Sequence, residues 1–233
     1  MVLNLPKMNI QQATRLYEHW LGQKVELIRA DIRHKHRLMA SDVFRFFRAT
    51  FYRWMQLWPE ACFDLADARV VLAVGDLHVE NYGTWRDQEG RLLSDWRGGM
   101  IAREAKALAP SACSLALAWA ESPKIYYQEI IEQAVRVPDP FVSVQGKWIV
   151  RRLAPDCTRV ELGDLPEGHD ESALLHAMGY ETANIHLGTK LARSAIAHDL
   201  RKRPKDWLHK AVKRMAKLVM ADWTDWRAVV RTG

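Results

Sequence analysis

The segment that most limits the architecture is a short β-branched run, Arg69 to Val74, which ends on Gly75 and passes directly into polar residues. It is the clearest strand pattern in the chain. Any sheet built on it has to be small, because the flanking sequence keeps helical rather than alternating periodicity. Ile10 to Arg29 sets Leu16, Trp20, Leu21, Val25 and Ile28 at helical spacing, which predicts one amphipathic helix. Asp31 to Arg37 is rich in Arg, His and Lys and reads as solvated. Ser41 or Asp42 caps a second helix, Val43 to Trp58, with Pro59 as its stop. A turn at Gln88 to Gly90 leads to a second short strand from Arg91 to Leu93.

Further along, the pattern predicts helices over Ala102 to Ala120 and Ile125 to Arg136, broken at Ser122 and Pro123. Phe141 to Leu153 alternates around Gly146, the pattern of a β-hairpin. Asp170 to Leu187 and Trp207 to Arg227 read as helices. The linker Val137-Pro-Asp-Pro140 separates a region 1–136 from a region 141–233, both parts of one integrated domain. The expected fold is therefore α+β, with a helical majority and a small mixed sheet.

Composition removes several classes of function. The chain has 233 residues, 34 Lys plus Arg and 28 Asp plus Glu, so its formal charge is +6, far from a histone-like polycation. With 48% apolar and 27% charged residues it has globular rather than disordered usage. Cys62, Cys113 and Cys157 are scattered without a CxxC pair, which supports neither a disulfide framework nor a zinc cluster and fits a reducing cytoplasm. No basic region followed by an apolar one opens the sequence, so no secretory peptide is expected. The longest apolar stretch, Ala105 to Ala120, is interrupted by Lys106 and Pro110 and is short of the roughly 20 residues a membrane span needs.

Chemistry is concentrated in Val71-Leu-Ala-Val-Gly-Asp-Leu-His-Val-Glu-Asn81, where an apolar run delivers Asp76, His78 and Asn81 just after a glycine. The interval from Asp76 to Asn81 equals that between the Asp and Asn of a protein-kinase catalytic loop. Phosphoryl transfer needs a carboxylate to accept or orient the proton of the attacking hydroxyl, and an amide oxygen to hold magnesium on the phosphates. Asp95, beyond the turn, is the candidate second magnesium ligand. The competing reading is that Asp76 and Asn81 only cap a turn.

Gly75-Asp-Leu-His-Val-Glu-Asn81 resembles the GDLHxxN signature of aminoglycoside phosphotransferases, choline kinases and related small-molecule kinases. More closely, the chain resembles a bacterial family catalogued as domain of unknown function 2252. The matching stretches are Lys35 to Met39, Phe44 to Thr50, Val74 to Gly83, Trp148 to Asp156 and Met178 to Gly188, covering about residues 30 to 227. The resemblance implies a protein-kinase-like, aminoglycoside phosphotransferase-like fold, whole or in incomplete form, using ATP and magnesium. Asp76 would then be the catalytic base, His78 would orient the loop, and Asn81 with Asp95 would hold the metal. In that family the next strand ends in an Asn-Asp-Phe-Asp-Glu motif whose first Asp should fall near residue 98. This chain reads Ser94-Asp-Trp-Arg-Gly-Gly-Met100 there. Residues 94 to about 112 are thus alternatively a degenerate or frameshifted stretch that removes the second metal ligand.

Lys147 in the hairpin and Arg151 and Arg152 on its outgoing strand are the candidate phosphate contacts, against a plain solvated hairpin tip. No GxGxxG or GxxxxGK loop is present, which excludes a P-loop enzyme. Arg45 and Arg48 form either an anion clamp or surface ion pairs. His186 reads as a core histidine. The basic stretch 190–217 offers a weak nucleic-acid-binding alternative, unaccompanied by any helix-turn-helix or RNA-binding signature. A third reading is a non-catalytic relative that serves as a binding module. The expected partner is a small-molecule acceptor, with neither nucleic acid nor membrane.

Overall fold

A computed structural model describes residues 8–65, 68, 70–75, 103–116, 124–135, 141–152 and 171–232. Helices α1 (Ile10–Gly22), α2 (Arg29–Ser41), α3 (Val43–Ala49) and α4 (Phe51–Ala61) come first. Strand β1 (Arg103–Ala107), the single turn α5 (Cys113–Ala116) and α6 (Tyr127–Gln133) follow. Strands β2 (Val142–Gln145) and β3 (Trp148–Arg152) precede α7 (Glu171–His186), α8 (Arg193–Lys202) and α9 (Trp207–Thr232). They form two compact units from interleaved stretches, residues 1–70, 109–125 and 194–233 in one and residues 71–108 and 126–193 in the other.

The helical unit starts from a capping box. Asn9 Oδ1 accepts the Gln12 amide at 2.9 Å while Gln12 Oε1 accepts the Asn9 amide at 3.0 Å, satisfying two donors at the start of α1. The helix stops at Gly22 rather than running to Arg29, and the basic stretch Asp31 to Arg37, none of it buried, lies on the helix α2, whose buried residue is Met39. Asp42 caps α3 by accepting the Arg45 amide at 2.9 Å.

The single helix expected from Val43 to Trp58 is two. Thr50 leaves helical geometry (φ −121°, ψ 33°), and its hydroxyl donates to the Phe46 carbonyl at 2.8 Å. Such a local bond competes with continuation of the backbone ladder. Pro59 does not stop α4 but sits inside its last turn.

The core of this unit runs along α9. Ala211, Met215, Val219 and Trp226 are buried at spacings of four, four and seven residues, one or two helical turns apart, so they lie on one face. Val219 and Trp226 join Ile10, Met39 and Phe46, while Ala211 and Met215 join Cys62 and Leu65. Two indoles also tie α9 to α2: Trp223 Nε1 donates to the Met39 carbonyl at 3.0 Å and Trp226 Nε1 to that of His36 at 3.3 Å. Tyr52 is buried beside Tyr17, their rings stacked at 4.1 Å, and its hydroxyl is 2.9 Å from that of Thr14. Burial pushes the Tyr52 phenol well above the usual tyrosine range.

Among the described residues the second unit holds a three-stranded sheet in the order β1-β3-β2. Both pairings are antiparallel, which corrects the mixed sheet expected from sequence. The hairpin at Gly146 is as expected. Gln145 pairs with Trp148, leaving Gly146 and Lys147 as a two-residue turn, and Gly146 takes the positive φ (58°) that this turn requires.

The helix expected over Ala102 to Ala120 is corrected. Its first part is β1 and, among its described residues, only Cys113 to Ala116 are helical. The strand expected from Arg69 to Val74 is also absent over residues 70–75, which are neither helix nor strand. There the Leu72 amide donates to the Thr189 hydroxyl at 2.9 Å rather than to a neighbouring strand. The expected strand from Arg91 to Leu93 lies outside the described residues.

Candidate functional site

The segment that leads into the chemistry expected from sequence, residues 71–75, belongs to the sheet-containing unit and is held by the bond from Leu72 to Thr189, three residues past the end of α7. The Thr189 amide in turn donates to the His186 carbonyl at 3.1 Å, so this exit turn is fixed to the helix before it. Gly188 makes the junction tight. A Cβ there would lie 2.7 Å from the Gln133 carbonyl oxygen, which only glycine avoids. The Val135 amide donates to the Asn184 carbonyl at 3.3 Å, a second tie between the ends of α6 and α7. Burial alone lowers the pKa of the half-buried His186 below the usual imidazole range.

Asp76, His78, Asn81 and Asp95 lie outside the described residues, as does Cys157. The candidate cations are described. Lys147 occupies the exposed second position of the hairpin turn, and its carbonyl accepts the Leu108 amide at 2.8 Å. Arg151 and Arg152 are consecutive on β3, so they point to opposite faces of the sheet and do not form one cradle.

Arg151 stands opposite Glu104 on β1, and its guanidinium makes an ion pair with the Glu104 carboxylate. Lys106, two residues along β1 on the same face, reaches the same carboxylate at 3.0 Å. Hydrogen bonds from Lys106, then Arg151, hold the Glu104 carboxyl below its ordinary range. The three side chains carry one net positive charge. On the other face the Arg152 guanidinium lies over the Phe141 ring, 5.0 Å from its centre.

Glu104, Lys106 and Thr189 were not legible as site residues. The period-two alternation of Arg103-Glu-Ala-Lys-Ala107 is the signal that could have exposed the first two, because it sets both charges on one face of a strand. Thr189 carries no such signal, since its partner lies 117 positions away.

In the helical unit three of the ten cations of the basic stretch 190–217 meet carboxylates. Arg203 binds both oxygens of Asp199 (2.6 and 3.0 Å), Lys210 meets Asp206 at 2.8 Å, and Arg214 binds both oxygens of Asp64 (2.8 and 3.1 Å). The Arg48 guanidinium lies over Phe44, 5.8 Å from the ring centre. Among the described residues no group of three His, Cys, Asp or Glu side chains is placed to hold a metal. Nor is any described helix long and apolar enough to cross a membrane.

Residues 27–98 match the family model described as an uncharacterized protein conserved in bacteria (DUF2252). Over that segment the chain resembles DUF2252. The DUF2252 match takes in α2, α3, α4 and the Gly75-to-Asn81 signature, and it ends before β1. No curated protein and no solved structure matched the chain.

Proposed function

We propose that this chain is an ATP- and magnesium-dependent phosphotransferase acting on a small hydroxyl-bearing molecule, in the manner of the aminoglycoside phosphotransferase group. The observation that carries the reading is the sequence Gly75-Asp-Leu-His-Val-Glu-Asn81 inside the DUF2252 match, with its lead-in pinned by Thr189. Asp76 accepts or orients the proton of the acceptor hydroxyl, and His78 orients the loop that carries it. Asn81 and Asp95 hold magnesium, which neutralises charge on the phosphates. Lys147 is the principal phosphate contact, because Arg151 already faces Glu104. Arg152, on the opposite face, contributes at most to the other side of the sheet. The protein's own work in such a transfer is positioning and charge neutralisation, with little covalent chemistry.

A second reading has one observation behind it. The family match ends at residue 98, near the position where the resemblance implies a metal-binding Asp. A chain that has lost this ligand is a non-catalytic binding module. Calorimetric titration with ATP, with and without magnesium, separates the two. Magnesium-dependent binding that weakens when Asn81 and Asp95 are both replaced by Ala, with turnover abolished in Asp76→Asn, supports the phosphotransferase. No binding at millimolar ATP supports the module.

A further inference from the structure

In the helical unit, α3, α4, α8 and α9 line a groove of about 630 Å³. Its floor is Leu208, Val212 and Met215 on α9, and Phe47, Trp58 and Leu200 stand around it. Phe47, Leu208 and Val212 are 45%, 56% and 55% exposed, so much of the apolar lining faces solvent. The volume is in the range of small-molecule sites, roughly 300–1,000 Å³.

One end of the groove is not apolar. Leu65, Asp199, Arg203 and Trp207 line it and also line a second recess of about 380 Å³, which Lys202, Lys210 and Arg214 help to form. The Arg203 guanidinium lies over the Trp207 indole at the shared boundary, 5.0 Å from the ring centre. Three of the four cations are matched: Arg203 by Asp199, Lys210 by Asp206 and Arg214 by Asp64. Lys202 has no ion-pair partner among the described residues, so this polar end keeps one positive charge beside a hydrocarbon-lined trough.

We infer that the groove binds one amphipathic anion, a medium-chain alkyl carboxylate, with its hydrocarbon on α9 and its carboxylate at Lys202. Away from the end formed by Asp199 and Arg203 the lining offers the alkyl chain no charged group, and methylenes laid there leave water. An uncharged hydrocarbon would leave Lys202 unanswered, and a cation would meet like charge. The Arg203–Trp207 stack gives the junction an apolar body with a charged edge, which suits the join between chain and head group. This site is independent of the phosphotransferase reading and uses none of its residues.

The test is calorimetric titration of the full chain with decanoate, with 1-decanol and acetate as controls, and sedimentation in parallel. Decanoate should bind saturably at one per chain and acetate not at all, with decanol weaker by about tenfold, as expected for a lost charge-assisted contact. Lys202→Ala should bring decanoate to the affinity of decanol and leave decanol unchanged. Val212→Trp should set an indole across the floor on which the alkyl chain lies and weaken both. If that variant loses its helical circular dichroism, Leu208→Lys, at another exposed floor position, replaces it. The inference is overturned by no decanoate binding, by equal affinity for decanoate and decanol, or by indifference to Lys202→Ala. It is equally overturned if sedimentation shows a dimer that Val212→Trp dissociates, since a second copy would then occupy the groove.

Discussion

Arg53 on α4 and Asp222 on α9 meet through two bonds, Nε to Oδ2 at 2.7 Å and Nη2 to Oδ1 at 3.3 Å, across 169 positions of chain. Their side chains are only 13% and 12% exposed. A planar guanidinium held by both carboxylate oxygens fixes the rotation of one helix against the other as well as their approach. Removing one partner leaves the other charge in a mostly dry place. Arg53→Ala should therefore cost about 3 kcal/mol, the low end for a buried pair, whereas Arg53→Met with Asp222→Leu should be close to neutral. Urea denaturation of the single and the double variant checks this. Equal losses in single and double variants would mean the apolar packing, not the pair, matters.

Gly188 gives a prediction for the other unit. A methyl group there meets two backbone oxygens, Gln133 at 2.7 Å and Ile185 at 3.0 Å, and neither can swing aside as a side chain would. Gly188→Ala should destabilise this unit by about 1–3 kcal/mol, the ordinary cost of overpacking. Hydrogen exchange should show faster opening at Val135, whose amide is bonded to Asn184. Unchanged exchange there would show that the junction yields easily.

The burial of His186 makes a pH prediction. Its folded pKa lies below the ordinary imidazole value, which the unfolded chain keeps at about 6.5. Between the two values the unfolded chain binds more protons, so stability rises with pH there. The contribution is complete above about 6.5 and is lost as pH falls from there through the folded value. The fall in Tm between neutral and mildly acidic buffer should be smaller in His186→Gln than in the parent chain. An identical fall in both would assign the acid sensitivity to other groups.

Lys147 and Arg151 can be separated by experiment within the phosphotransferase reading. Arg151 shares Glu104 with Lys106, whereas Lys147 stands at the exposed turn. Lys147→Ala should weaken magnesium-dependent ATP binding by about tenfold, the scale of one charge-assisted hydrogen bond. Arg151→Ala should weaken it less than about threefold. The reverse order in calorimetry would make Arg151 the phosphate contact and Glu104 its positioning partner.

How far the sequence foretold this architecture depended on whether the deciding interaction was local. The hairpin was legible because a glycine between two alternating segments leaves few other conformations, and Asp42 was legible as a cap because its partner is Arg45. The expectation failed at Ala102 to Ala120, where an alanine-rich composition favours helix but pairing with β3 made the first part a strand. The Glu104–Arg151 cross-strand pair that supports this lies 47 positions apart. It failed again at Pro59, since a proline late in a helix removes one bond without ending it. The phosphate candidates were found as residue types, but the carboxylate beside Arg151 was hidden with the strand that carries it.

Trp226 donates to the His36 carbonyl across 190 positions, and that indole also helps to close the core over Ile10, Met39 and Phe46. Translation runs at about 5–20 residues per second, so α1 to α3 wait roughly 10–40 s on the ribosome before the helix that covers them is made. Through that interval their apolar faces are open to other chains. Chain elongation, more than the intrinsic speed of helix packing, sets when this unit can close, and a cell making it in quantity must shield its first half until the last helix arrives.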